Sequence, residues 1–167
     1  MKQHFLSEYL FYFDRLSKLT GIVNHRFCTL TFLVPKTNKI VADFPKIKLT
    51  DIGEFAKQEL LNIERHYDNI KIDKFVIMPN HIHLIIQITE RINPFPTINF
   101  NISNVVGKFK AAVTRNVGNA FMHSEKNQIW QRSFHDHIIR GENDYLKIWN
   151  YIDTNPQKWK EDCFYTE

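Results

Sequence analysis

Residues 78–86 read MPNHIHLII, an apolar run that carries two histidines with one isoleucine between them. Alternate side chains of a strand share a face, so His81 and His83 project together while Ile82 and Leu84 point the other way. Two adjacent imidazoles on one face are what a strand offers to a single metal ion. The plainer account is a pair of histidines with ordinary hydrogen bonds beside a turn. A second H-x-H, His135 and His137 in FHDHI, is the poorer ligand pair, because its middle residue, Asp136, would be sent toward the apolar face of a half-buried strand. Those two are expected as hydrogen-bonded structural histidines. Nearer the C-terminus, Tyr151 and Asn155 are four apart, a spacing that stacks two side chains on one side of a helix. Alone they read as a boundary tyrosine and an asparagine at a helix end before Pro156.

The elements that must position these residues follow from periodicity. HRFCTLTFLV alternates apolar and polar residues and is rich in Phe, Thr and Val, as a strand is. In LTDIGEFAKQELLNIERHY, Ile52, Phe55, Ala56, Leu60, Ile63 and Tyr67 recur at helical spacing, with Thr50 or Asp51 placed to cap. IKIDKFVIM and HIHLIIQI are two β-rich runs separated by the turn signal PN, hence an antiparallel hairpin. RINPFPTINFN holds two prolines and reads as a connection. Ile102, Val105, Val106, Phe109, Val113, Val117 and Ala120 then mark a second helix. IWQRSFHDHIIR is extended, Gly141 breaks it, and NDYLKIWNYIDTN reads as a helix that begins with capping residues and stops before Pro156.

That order predicts an α+β, ferredoxin-like βαββαβ sandwich with helices on one face of an antiparallel sheet, plus a C-terminal helix. The third strand is then central, between the first and second. Val76, Met78, Ile82, Leu84 and Ile86 are expected to face the two helices, leaving His81, His83, Ile85 and Gln87 on the open face. On the last helix, Tyr145, Ile148, Trp149, Ile152 and Trp159 trace an apolar stripe that packs on the body of the domain. Tyr151 and Asn155 border it, at the seam between helix and sheet.

A chain of 167 residues with 43% hydrophobic and 14% aromatic residues fits one globular domain. Residues 21–167 are expected to form it, with residues 1–20 an appended arm or helix. Charges interrupt the aromatic N-terminal stretch, so it fits neither a signal peptide nor a spanning helix. Cys28 and Cys163 have no metal or redox spacing. A cytoplasmic, nucleoid-associated protein without membrane contact is the expectation. The net charge of +4 favours an anionic partner, nucleic acid before others.

Three strings in their order, FVIMPNHIHLII, GKFKAAVTRN and WQRSFHDHIIRGENDYLKIWNYIDTNPQKW, resemble the single-tyrosine HUH transposases, the IS200-like and REP-associated tyrosine transposases. The likeness covers roughly residues 21 to 165. It implies that His81 and His83 bind a divalent metal, magnesium or manganese, with Asn155 completing the protein ligands. Tyr151 would attack a DNA phosphate, giving a 5′-phosphotyrosine and a free 3′-hydroxyl that lets the strand be rejoined rather than hydrolysed. The substrate implied is single-stranded DNA bearing a hairpin. A homodimer, with the active site completed in cis or in trans, stays open, as does the base that takes the tyrosine proton. Lys108, Lys110, Arg115, Arg132, His137, Arg140, Lys147 and Lys158 are candidate DNA contacts, although scattered cations are commonly a solvated surface.

Two other classes share the architecture. A non-catalytic RNA-binding module of this fold places stacking aromatics on the open face, where this chain has His81, His83, Ile85 and Gln87. A replication- or conjugation-type HUH nickase shares the metal logic but normally carries further domains, and a domesticated relative keeps the chemistry without mobilising an element.

Overall fold

The computed structural model describes residues 23–33, 41–43, 48–91, 101–120 and 129–165. The expected N-terminal arm and most of the proline-containing connection lie outside them. Strand β1 (Val23–Leu33) leads through a small ribbon of β2 (Val41–Asp43) and β3 (Lys48–Leu49) into helix α1 (Asp51–His66). The hairpin β4 (Ile70–Ile77) and β5 (His81–Arg91) follows, then α2 (Ile102–Ala120), β6 (His135–Ile139) and α3 (Glu142–Thr154). A 3-10 helix, Asn155–Glu161, continues directly from α3. The main sheet has the order β4-β5-β1-β6 with every neighbour antiparallel. Leaving aside the ribbon, this is the βαββαβ arrangement, and the histidine strand β5 is flanked on both sides.

Helices α1 and α2 cover one sheet face. Ala56, Leu60 and Ile63 of α1 and Val105, Val106, Phe109 and Val113 of α2 close on Leu30, Phe32, Ile82, Leu84, Ile86 and Ile88. Phe32 and Phe109 stack with ring centroids 5.3 Å apart. Thr50 caps α1, its hydroxyl accepting from the Gly53 amide at 3.2 Å. On the other face a smaller core joins Phe27, Ile85 and Ile139 to Tyr145 and Ile152 of α3. The sheet is therefore covered on both sides of its centre, and α3 is the element laid over the histidine face.

Three expectations need correction. Val76 does not face α1 and α2; it pairs with His83 and packs in the smaller core under α3. The turn is the reason. Met78 donates its N–H to the His81 carbonyl at 2.8 Å, so Ile77 pairs with Ile82 and Val76 with His83. Odd residues of one strand oppose even residues of the other, and a parity carried straight through the turn inverts the assignment. Second, α3 has no side-chain cap: Gly141, at φ +145°, is the cap residue, and Asn143 and Asp144 are already inside the helix. Third, Asp136 is exposed rather than turned into a core, because β6 is an edge strand and only Ile139 of it is buried.

A bulge falls in β4 between Ile72 and Lys74. The extra residue, Asp73, accepts a hydrogen bond from the Tyr145 hydroxyl of α3. Lys74 ties the same helix down, 2.7 Å from Asp153 and 3.9 Å above the Trp149 ring.

Candidate metal centre and nucleophile

His81 and His83 leave β5 on the same face, as the strand period requires, with ring centroids 4.5 Å apart. They are not open to solvent: His81 is wholly buried and His83 nearly so. Each ring has its Nδ1 engaged. His81 Nδ1 is 2.8 Å from Asn80 Oδ1, and the Asn80 amide is oriented by donating Nδ2 to the Phe164 carbonyl at 2.7 Å. His81 therefore donates from Nδ1 and carries its lone pair on Nε2. His83 Nδ1 is 2.8 Å from Thr31 Oγ1 of β1. Backbone-held neighbours that fix the second nitrogen of a histidine are characteristic of metal-binding imidazoles.

Burial holds both rings neutral. His81 is lowered to about 3, by burial first and by His83 second, with Asp162 opposing; His83 is lowered to about 4 by burial, again opposed by Asp162. A neutral imidazole is the form that ligates a metal.

Tyr151 and Asn155 come from the last turn of α3 and the first residue of the 3-10 helix. The helix rise brings both over the histidine face. Tyr151 Oη lies 3.3 Å from His83 Nε2 and donates to Asp162 Oδ2 at 2.9 Å, while the ring stays 43% exposed. Burial, then the hydrogen bond to Asp162, raises its phenol above the ordinary tyrosine range. Asn155 is buried and donates Nδ2 to the same Asp162 oxygen at 2.6 Å. The sequence-predicted set His81, His83, Tyr151 and Asn155 is thus brought together.

Asp162 was not among the residues singled out from sequence. Pro156 and the kink at Lys158 end regular helix, and the chain turns back so that residues 162–165 form a strap across the histidines. The Phe164 ring lies 4.9 Å and the Trp159 ring 5.8 Å from His81. The Asp162 carboxylate reaches within 4.0 Å of His81 Nε2. Burial pushes that carboxyl up, but hydrogen bonds from the Phe164 amide, Asn155 and Tyr151 hold it below the ordinary aspartate range. One ligand atom each from His81, His83 and Asp162 lie within 4.8 Å of one another. His81 Nε2 and Asn155 Oδ1 are both buried with no hydrogen-bond partner among the described residues. Orphaned acceptors of this kind cost about 1–3 kcal/mol each. Two of them, with neutral imidazoles and a carboxylate, would be satisfied together by a divalent cation. The residues present fit a metal.

The candidate DNA contacts divide. Arg132, Arg140, Lys147 and Lys158 are exposed, the last three on or beside α3 and the 3-10 helix. Lys108, Lys110 and Arg115 sit on α2, across the sheet from Tyr151. Lys110 donates its ammonium to the carbonyls of Gln131 and Ser133, both at 2.8 Å, and burial lowers its pKa. Lys108 lies 5.5 Å over the Tyr67 ring. His137 is 2.8 Å from Asp144 Oδ2, which holds the Asp144 carboxyl below its ordinary range; His135 is exposed. Neither belongs to the buried cluster.

A sheet of this topology with two inward histidines and a tyrosine helix laid over them defines a class, and comparison with known proteins gives the same one. The chain belongs to the family of IS200-like transposases, whose family model matches residues 46–155. An uncharacterized protein of Haemophilus influenzae is 37% identical over 136 residues, covering 73% of this chain and 74% of that one. A second protein of that organism, provisionally named a REP-associated tyrosine transposase, is 30% identical over 128 residues, covering 71% of this chain and 67% of that one. Among solved structures, a REP-associated tyrosine transposase bound to a REP hairpin shares the fold, with a TM-score of 0.59 and 23% identity over 80% of this chain and 68% of that chain.

Proposed function

We propose that this transposase-family protein cleaves and rejoins single-stranded DNA at hairpin-bearing ends, with Tyr151 as nucleophile and a divalent cation, magnesium or manganese, held by His81, His83 and Asn155. The observation that carries the reading is the placement of the Tyr151 hydroxyl 3.3 Å from the buried His83 imidazole, on a ring that remains 43% exposed. One side of the phenol faces the metal ligands; the other faces the solvent from which a strand would arrive.

The cation, when bound, would polarise a phosphate oxygen and stabilise charge at the scissile group. The chain's own residues supply the remainder. His81 and His83 are neutral and oriented through Asn80 and Thr31, and Asn155 leaves an amide oxygen turned into the site. Tyr151 attacks phosphorus as the 3′-oxygen leaves, which stores the phosphodiester bond as a 5′-phosphotyrosine for rejoining. Hairpin recognition is supported by the likeness to a relative solved on a REP hairpin. Exposed Arg140, Lys147 and Lys158, on or beside the elements that carry Tyr151 and Asn155, are candidate phosphate contacts, whereas Lys108 and Arg115 sit on α2 across the sheet. The RNA-module alternative is disfavoured because α3 covers the face on which bases would stack.

Incubation of the protein with 5′- and 3′-labelled hairpin oligonucleotides and manganese, then denaturing electrophoresis and mass spectrometry, tests the proposal. The expected adduct maps to Tyr151 and vanishes in Tyr151→Phe. An adduct that survives in Tyr151→Phe and is lost in Tyr145→Phe would overturn it.

A further inference from the structure

Resting on the metal reading above, we infer that Asp162 is the anionic ligand of this site and the residue that aims the Tyr151 hydroxyl. The carboxylate is 1% exposed, and among the described residues no lysine or arginine pairs with it. Its three donors, Tyr151 Oη, Asn155 Nδ2 and the Phe164 amide, are all neutral, so the buried carboxylate is hydrogen-bonded but has no counter-charge among the described residues. A cation between Asp162 and the two imidazoles would supply that counter-charge and satisfy the two orphaned acceptors at once.

The donor chemistry points the same way. Magnesium and manganese prefer oxygen, especially carboxylate, to a set of neutral nitrogens. His81, His83 and Asn155 alone offer two nitrogens and one amide oxygen with no negative charge. Asp162 adds the hard anionic oxygen such an ion selects, and its Oδ2 already faces His81 Nε2.

That oxygen has a second task. Oδ2 accepts from both Tyr151 Oη and Asn155 Nδ2, at 2.9 and 2.6 Å. One atom therefore fixes the hydroxyl of the nucleophile and turns the Asn155 amide so that its oxygen is the end left without a partner. Oδ1 is anchored by the Phe164 amide at 2.7 Å, and Asn80 grips the Phe164 carbonyl. Asn80 thus ties the strap to the orientation of His81.

The test uses the full chain as wild type, Asp162→Asn, Asp162→Glu and His83→Ala. Manganese is titrated by calorimetry, and thermal melting is recorded with and without it. Loss of a partner outside the ligand shell costs 10–100-fold in metal affinity, so loss of a direct ligand should cost Asp162→Asn at least about tenfold. Without metal, Asp162→Asn should stay folded but melt somewhat lower than wild type, because an amide cannot accept from all three donors that the carboxylate serves, while its manganese-dependent rise in Tm shrinks. At saturating manganese, cleavage of a hairpin oligonucleotide should show a reduced kcat with KM unchanged. Should Asp162→Asn fold poorly, Asp162→Glu decides: as a carboxylate it must bind manganese better than His83→Ala. Wild-type affinity in Asp162→Asn overturns the inference, as does faster cleavage, which would make the carboxylate an obstacle to the DNA phosphate. If wild type and His83→Ala bind manganese equally or not at all, the metal reading itself fails and takes this inference with it. Loss in His83→Ala with retention in Asp162→Asn removes only the role of Asp162.

Discussion

Tyr145 and Tyr151 occupy one helix six residues apart, and helical phase gives them opposite fates. Tyr145 is buried, edge-on to Phe27 at 5.7 Å, with its hydroxyl spent on Asp73. Tyr145→Phe should lower stability by about 1.5–3 kcal/mol, the usual worth of a hydrogen bond to a charged group, and leave the DNA adduct intact. Denaturant unfolding measures the first and the labelled-hairpin assay the second. The histidines carry a pH signature. An unfolded histidine takes a proton near pH 6.5, whereas folded His81 and His83 resist until about 3 and 4. Protons therefore bind the unfolded chain first as pH falls, so stability of the metal-free protein is present above about pH 6.5 and is lost progressively from there down to about pH 3. Melting scans across that window should show the decline, and His83→Gln should flatten it; an equal slope in the variant would locate the effect elsewhere. At this scale the sequence was informative where chemistry is local. The H-x-H pair lies within β5, and Asn155 follows α3 in helical geometry with its N–H on the Tyr151 carbonyl, so one periodicity places each pair. Asp162 was not legible, because its contact with β5 arises only after the chain reverses beyond Pro156, and no short-range pattern encodes that reversal.

The elements repeat the lesson. Both long helices, the hairpin and the central place of β5 follow from apolar period, Thr50 as cap and the PN turn. What failed did so at junctions. The parity of Val76 depended on the register through the turn, and the cap of α3 on a backbone angle rather than on the polar side chains that follow it. The β2–β3 ribbon, with three and two residues, is too short to leave a period. Gly141 gives this a measurable form. Its φ of +145° lies where side-chain-bearing residues are strained, yet a methyl added there would meet nothing within 4 Å. Gly141→Ala should therefore cost about 1–3 kcal/mol from backbone conformation alone. Because Gly141 sets the start of the helix that carries Tyr151, the same variant should also slow adduct formation. Chemical denaturation showing no loss would mean that the backbone at this position relaxes freely.

For the molecule as a whole, the question is whether one chain suffices. His81 and His83 come from β5, Thr31 from β1, Tyr151 from α3, and Asn155 and Asp162 from the segment after it, and all of them meet within a single copy. Tyr151 reaches the histidine face because α3 is anchored to the same sheet by Tyr145 on Asp73, Lys74 on Asp153, and Ile152 against Ile85. For a partner's helix to deliver the tyrosine instead, all of those contacts would have to break and reform between copies. Tyr151, the proposed nucleophile, should therefore act in cis, whatever the oligomeric state. Mixing His81→Ala chains with Tyr151→Phe chains tests this directly, since each lacks a different half of the centre. A site built from one chain predicts that the mixture forms no more phosphotyrosine than either variant alone, with light scattering recording whether the chains associate. Recovery toward about a quarter of the wild-type adduct in an equal mixture, where half of the dimers are mixed and one site in each is complete, would show that α3 is exchanged between copies and that the active unit is a dimer.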